Sequence, residues 1–241
     1  MKAIVCEKYG PPSDLVLKEL PALSPGEKEV VIQVKACSLN FPDTLIIQGK
    51  YQYKPALPFT PGSDIAGVVC AVGSKVKHLK EGQEVFGFVA NGGFAEEVIA
   101  PAKNVFPKPP KMDFASAASF LMAYGTSYHA LKNRAKLKEG ETLVVLGASG
   151  GVGLAAVELG KQMGARVIAC ASTQEKIDLC KSYGADEGIN YITEDLKERI
   201  KALTEGKGAD VIYDPIGDKF AEPALRAIGW EGRYLVVGFA A

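Results

Sequence analysis

The residues most able to do chemistry by type and spacing lie in the second half of the chain. An apolar run, Thr142-Leu143-Val144-Val145-Leu146, leads into Gly147-Ala148-Ser149-Gly150-Gly151-Val152-Gly153, and Leu154-Ala155-Ala156-Val157-Glu158-Leu159 then reads as a helix. Strand, glycine-rich turn and helix are the context that dinucleotide binding requires. Gly150 would let backbone approach a pyrophosphate, Gly153 would let the helix pack against the strand, and the helix N-terminus supplies free N–H groups and a positive dipole. Ser149, Gly150, Gly151, Val152 and Gly153 are therefore the candidate phosphate cradle, with Ala148 where a first glycine is usual. Glycines at such a turn can also serve packing alone.

About 20 residues past the turn, a site that prefers the unphosphorylated dinucleotide places a carboxylate on the ribose hydroxyls. Here the stretch reads Ala169-Cys170-Ala171-Ser172-Thr173-Gln174-Glu175-Lys176. Ser172 offers an uncharged hydroxyl, and Lys176, one helical turn on, can direct an ammonium at a 2′-phosphate. The expectation is NADPH over NADH, although Ser and Lys at strand ends also occur for ordinary capping reasons.

The elements that must hold these residues alternate. Strands are expected at Thr142–Gly147, Arg166–Ala171, Glu187–Tyr191, Asp210–Asp214 and Arg233–Gly238, with helices near 151–163, 174–183, 195–204 and 218–228. That alternation implies an α/β fold with a parallel, doubly wound (Rossmann) sheet. From Ala3 to about Val105 short β-branched runs such as Val30–Val34, Ile65–Val69 and Glu84–Phe88 are punctuated by Pro and Gly, the pattern of an antiparallel, partly open barrel. The Pro- and Lys-rich Phe106–Lys111, followed by the N-cap candidate Asp113 and an Ala-rich helix to about Lys132, suggests domains at 1–112 and 113–241. A dinucleotide fold uses six strands, and the text stops after the fifth, so the expectation is a fragment or a form that lacks its closing element. An unpaired final strand would be an exposed edge.

Composition narrows the partners. The 241 residues carry 28 basic and 28 acidic side chains, which gives no field for nucleic acid or an anionic membrane. No apolar run reaches the length of a membrane span, and charges enter too early for a secretory leader, so a cytoplasmic address is expected. Five scattered cysteines without a C-x-x-C pair argue against a disulfide framework or a clustered metal site.

Further motifs join these. Ser38-Leu39-Asn40-Phe41-Pro42-Asp43, Leu57-Pro58-Phe59-Thr60-Pro61-Gly62-Ser63-Asp64-Ile65-Ala66-Gly67, the Gly147–Gly153 turn, Gly184-Ala185-Asp186 and Ile189-Asn190-Tyr191 together resemble the zinc-free, NADPH:quinone oxidoreductase (zeta-crystallin-like) branch of the medium-chain dehydrogenase/reductases. The resemblance spans nearly the whole chain. It implies a GroES-like β-barrel domain, a Rossmann domain and a site in the cleft between them. In the zinc-dependent relatives a Cys and a His bind the metal where this chain has Asn40 and Ser63, which are poor zinc ligands; no metal is expected. Cys37 lies close by, but a single thiol without partners reads as packing. Without a Lewis acid, reduction of a polarised quinone or α,β-unsaturated carbonyl is favoured over alcohol oxidation.

The resemblance further implies that Asn40 and Tyr51 donate to the oxygen of the acceptor and that Asp43 orients them. Read alone, Asn40 and Asp43 suit a turn and Tyr51 suits packing. It also assigns Thr126 and Gly238-Phe239 to the nicotinamide end, Lys176 to the 2′-phosphate and Tyr191 to the adenosine end. Leu45 stands where some relatives have a second tyrosine, and His78 and His129 match no catalytic position. Full-length relatives continue into a sixth strand and dimerise along the sheet edge, so a homodimer is what the resemblance implies for the full-length proteins. Two other readings stay open: an enoyl-thioester reductase of the same superfamily, or a cofactor-binding or interaction protein with little turnover.

Overall fold

The computed structural model describes residues 1–238, and Phe239, an expected cofactor contact, lies outside them. The chain divides into two compact units, Met1–Met122 and Ala123–Ala241.

In the first unit β1 (Lys2–Val5) pairs antiparallel with β2 (Val16–Glu19). A five-stranded antiparallel sheet follows, built from β3 (Glu29–Cys37), β4 (Asp64–Val72), β5 (Glu84–Phe88), β6 (Glu97–Pro101) and β7 (Val105–Pro107) in the order β6-β3-β4-β5-β7. The β3/β4 register slips at Val31/Ile32 and again at Val34/Ala36. Such bulges bend and twist a strand, so the sheet curls around Val30, Ile32, Ile65, Val69, Val85, Val98 and Val105. Beyond β3 the chain enters a short helix, α1 (Phe41–Ile46).

The Ala-rich segment forms one helix in the sequence reading but is interrupted. Asp113 caps α2 (Phe114–Ala118) through Ser116 N at 2.8 Å. The helix ends because the N–H of Met122, which would return to the carbonyl four residues back, donates to Asp64 Oδ2 at 2.9 Å. Ala117 and Ala118 pack on Ala66 of β4. These contacts tie α2 to the first unit, so the division falls after Met122 instead of after Met112. A π-helical turn, Leu121–Gly125, leads into α3 (Thr126–Tyr128) and a second π-helical stretch, His129–Ala135.

The second unit is a parallel sheet of β8 (Thr142–Leu146), β9 (Arg166–Ala171), β10 (Glu187–Asn190), β11 (Ala209–Asp214) and β12 (Ile228–Val236), in the order β10-β9-β8-β11-β12. It alternates with α4 (Gly151–Gln162), α5 (Gln174–Ser182), α6 (Leu196–Leu203) and α7 (Ala221–Leu225). The period-two pattern buries both faces: Leu143, Val145, Val167, Ala169, Val211 and Tyr213 enter one core, and Val144, Leu146, Ile168, Cys170 and Ile212 the other.

The last helix and strand differ from the sequence reading. A 3₁₀ turn at Asp218–Phe220 precedes α7, which ends at Leu225, and β12 starts at Ile228 rather than at Arg233. Ile228 pairs with Ala209 before a register shift brings Arg233 opposite Val211. The intervening bulge contains Gly229, Gly232 and Glu231 at φ 58°, and it leaves Trp230 94% exposed. Among the described residues no helix is long and apolar enough to cross a membrane.

Fully buried Ser127 ties α3 to the sheet, donating to Val152 O at 2.7 Å and meeting the buried Tyr213 hydroxyl at 2.8 Å. Ser127→Ala is expected to cost about 1–3 kcal/mol, because the Tyr213 hydroxyl is left unpaired. Adding Tyr213→Phe should return part of that loss in denaturant titrations; a double variant as unstable as the sum of the singles would contradict the pairing.

Candidate functional site

In the second unit the candidate residues gather at the C-terminal ends of the parallel strands, where such sheets bind ligands. At the β8 end Gly147 has φ 56°, and a Cβ on Gly153 would lie 2.3 Å from Gly147 O. The first turn of α4 therefore presses directly on the strand turn, which only glycine permits at 153. Gly150 and Gly151 behave differently. A Cβ on Gly150 would meet nothing closer than Gly147 O at 3.4 Å, and one on Gly151 nothing within 4 Å. Neither is required by the chain's own packing. Their bareness leaves open space over the helix start, where Ser149 is half-buried and the first N–H groups of α4 have no carbonyl a turn earlier.

At the β9 end Lys176 Nζ donates to Ser172 Oγ at 3.0 Å, while Thr173 caps α5 by accepting from Lys176 N at 3.3 Å. Tyr191, just past β10, has its hydroxyl pushed above the ordinary tyrosine range by burial and by Cys170, against a hydrogen bond with Ser172. Its ring lies 4.4 Å from that of Phe220 at 43°, and Lys219 Nζ sits 5.2 Å over the Phe220 ring. Ser172, Lys176 and Tyr191 are thus one cluster, and sequence reading missed Phe220 and Lys219. An anionic group there meets an ammonium and a hydroxyl beside an aromatic wall.

The β11 and β12 ends complete this rim. Buried Asp214 accepts from Ile216 N (2.8 Å), Gly217 N (2.9 Å) and the Tyr234 hydroxyl (2.6 Å), which shapes the loop so that Ile216 covers Gly147. Gly238 follows, with a Cβ position 3.2 Å from Pro215 O. Thr126 is half-buried beside the anchored Ser127. The cradle, the phosphate-type cluster and the loop fit a phosphorylated dinucleotide.

In the first unit Asn40 is the N-cap of α1. Its N–H donates to Asp43 Oδ2 at 2.8 Å and its Nδ2 donates to Ser38 Oγ at 2.8 Å. Asp43 is 4% exposed; burial pushes its carboxyl up, while the N–H groups of Asn40 and Gly62 oppose the rise. It joins the start of α1 to the Pro61–Ser63 loop. Tyr51 stands apart from this network, packed with Cys6, Ile46, Ile47 and Phe59.

Asp64, which the sequence reading passed over, belongs to the same network. It is 1% exposed, with Oδ2 on Met122 N and Oδ1 buried without a partner of full hydrogen-bond geometry. Burial drives its carboxyl up to about 6, Met122 N–H opposes this, Asp43 adds to it, and Asn40 and Ser38 favour the charged form. Cys37 is pushed up to about 12 by burial and by Asp43 and Asp64. The donor set does not suit zinc: the thiol is held protonated, and Asn40 and Ser63 are neutral oxygen and nitrogen groups. Among the described residues no three His, Cys, Asp or Glu cluster as a metal site.

This fold and these sites define a medium-chain dehydrogenase/reductase: the family model described as the alcohol dehydrogenase GroES-like domain matches residues 26–110, and that described as zinc-binding dehydrogenase matches 151–241. A quinone oxidoreductase-like protein 2 homolog of Nematostella vectensis is 39% identical over 99% of this chain and 66% of its own length. A human quinone oxidoreductase is 36% identical over 99% of this chain and 73% of its own. The crystal structure of Escherichia coli quinone oxidoreductase complexed with NADPH superposes with a TM-score of 0.94 at 34% identity, covering 99% of this chain and 73% of that one. The chain belongs to the zinc-free, quinone oxidoreductase-like family. It spans about two thirds of the length of the curated relatives it matches.

Two stability measurements separate these glycines and carboxylates. Gly153→Ala is expected to cost about 1–3 kcal/mol by forcing α4 off the turn, whereas Gly150→Ala, in extended backbone at φ −76°, should melt like the parent. Equal losses at both positions would contradict the open cradle. For Asp64 the folded value of about 6 lies above the unfolded 3.8, so the folded state binds the extra proton and stability falls as pH rises through that window. Asp64→Asn should therefore stabilise the protein at pH 7 by up to about 3 kcal/mol relative to pH 4, read from denaturant midpoints at the two pH values.

Proposed function

We propose that this protein is an NADPH-dependent oxidoreductase that reduces quinones or α,β-unsaturated carbonyls without zinc, at a soluble, small-molecule site in the cytoplasm. The observation that carries this reading is the Ser172–Lys176–Tyr191 cluster next to glycines that the fold itself does not need. A 2′-phosphate is the ligand group that uses an ammonium and a hydroxyl where a carboxylate would repel it. NADPH in the E. coli relative supports the choice of dinucleotide.

When bound, the dinucleotide supplies a hydride. The chain's own residues then have three tasks. The N-terminus of α4, with Ser149, Gly150, Gly151, Val152 and Gly153, binds the pyrophosphate with N–H groups and the helix dipole. Lys176 and Ser172 hold the 2′-phosphate, Tyr191 faces the adenosine, and Thr126, Gly238 and Phe239 orient the nicotinamide end. In the first unit the Asn40 amide, which donates to Ser38 and lies beside Asp64, is proposed as the donor that stabilises negative charge on the acceptor oxygen. Asp43 holds α1 and thereby Asn40, and Tyr51 is proposed as a second donor. With the zinc positions held by Asn40 and Ser63, an acceptor already polarised by conjugation is the fitting substrate class.

Titration with NADPH and NADH, followed by nicotinamide fluorescence, tests the cofactor. NADPH should bind at least about tenfold tighter, and Lys176→Ala should remove that margin and leave NADH unchanged. NADPH oxidation with 1,4-benzoquinone and with an enone tests the acceptor. Equal affinity for the two dinucleotides, or turnover restricted to enoyl thioesters, would overturn the corresponding part of the reading.

A further inference from the structure

Along the rim of the second unit the open helix start beside β8 suits phosphates, and Ser172, Lys176 and Tyr191 beside β9 and β10 suit a phosphorylated adenosine. The strands lie in the order β10-β9-β8-β11-β12. A dinucleotide with its phosphates over β8 and its adenosine over β9 and β10 therefore extends its nicotinamide half over β11 and β12. At those two strand ends stands one buried carboxylate, Asp214, the last residue of β11 and 2% exposed.

Its oxygens divide the work. Oδ1 accepts from Ile216 N at 2.8 Å and Gly217 N at 2.9 Å, and Oδ2 accepts from the Tyr234 hydroxyl of β12 at 2.6 Å. The main-chain carbonyl accepts from Val237 N at 2.8 Å and from Gly238 N at 3.4 Å. One residue thus gathers the loop after β11, the strand β12 and the segment that leaves it. The inward turn of the Ile216 and Gly217 N–H groups has a consequence: they are spent on Asp214 and offer nothing to an anion. What the loop presents to the rim is the Ile216 side chain, whose Cδ1 lies 2.9 Å from the place a Cβ on Gly147 would take. Gly238 lies against the same loop, its Cβ position 3.2 Å from Pro215 O.

We propose that Asp214 is the positioning residue for the nicotinamide half of the dinucleotide: it holds Ile216 over the Gly147 turn and the 237–238 segment against Pro215, and so sets the apolar wall and the backbone edge between which that half lies. This role rests on the dinucleotide reading and deepens it, since it separates the groups that read the adenosine from those that place the reacting end. Asp214 touches no ligand and acts through Ile216 and Gly238. The adenosine end is held independently, because Phe220 packs on Tyr191 and on the core that contains Ala224. The charge of Asp214 is not what the role needs. In Asp214→Asn the two backbone N–H groups keep the amide oxygen at the Oδ1 position, and the amide N–H turns to the Tyr234 hydroxyl, which can accept as well as donate. The geometry survives without the charge.

The test measures NADPH and NADH binding by nicotinamide fluorescence in the full chain. Binding of 2′,5′-ADP, which carries the phosphorylated adenosine and no nicotinamide, is measured by calorimetry. Asp214→Ala is expected to weaken NADPH and NADH by about tenfold each and to leave 2′,5′-ADP within about twofold of the parent. Asp214→Asn should restore both dinucleotides. Ile216→Ala keeps the carboxylate and its three bonds while stripping the wall, and should show the same split; it decides the matter if Asp214→Ala does not fold. A folded Asp214→Ala or Ile216→Ala with parental NADPH affinity overturns the proposal, and so does a loss of 2′,5′-ADP equal to that of NADPH, which is what a general loosening of the fold produces. If the parent binds neither NADPH nor 2′,5′-ADP, the dinucleotide reading itself falls; if it binds both and the variants show no split, only the role of Asp214 falls.

Discussion

The close approach of α4 to the end of β8 is the constraint on which the second unit depends. With Gly153 against the Gly147 carbonyl, the helix axis is aimed at the turn, and its N-terminal dipole is brought to the same rim as Ser172, Tyr191 and Gly238. A side chain at 153 would tilt the helix and move every group that the sheet has aligned. The sheet is buried on both faces, so it has little freedom to adjust. Two kinds of glycine therefore share one turn. Gly147 and Gly153 are demanded by the backbone, while Gly150 and Gly151 are bare toward open space.

The first unit solves a different problem with two carboxylates. Asp43 is satisfied by backbone N–H groups and staples α1 to the neighbouring loop. Asp64 is only half satisfied, and burial works against its charge. A group held at such a cost in stability marks the place where the fold gives way to chemistry. The break in the Ala-rich helix is part of the same device, because the Met122 N–H that leaves the helix is the one that Asp64 receives.

Most of the architecture was legible where signals are local. The β8 turn and α4 follow from contiguous residues, and β8, β9 and β11 follow from short apolar runs that alternate with helix-length stretches. Elements fixed by distant partners were not legible. α1 is six residues long, too short for a helical period, and is defined by the Asn40–Asp43 cap. β12 starts at Ile228 because it pairs with Ala209, through glycines that read locally as a loop. At the sites, Ser172 and Lys176 declare themselves as one helical turn, but Phe220 meets Tyr191 only through the fold. Asp64 had a signal that was passed over: a lone acid at the head of the apolar run Ile65–Val69, which a strand buries only when its surroundings use it.

Trp230 is the sole tryptophan of the chain, and it stands in the bulge near the start of β12. The strand runs from there to Val236, a span of about 20 Å, before the chain reaches the rim that gathers the candidate ligand groups. As an optical probe this indole is badly placed for ligand contact and well placed for the sheet margin. Its emission will be that of an indole in water, and quenchers will reach it freely. Any blue shift on raising the protein concentration would report burial of the β12 bulge by another surface, and the signal of a bound nicotinamide must be read from the nicotinamide itself.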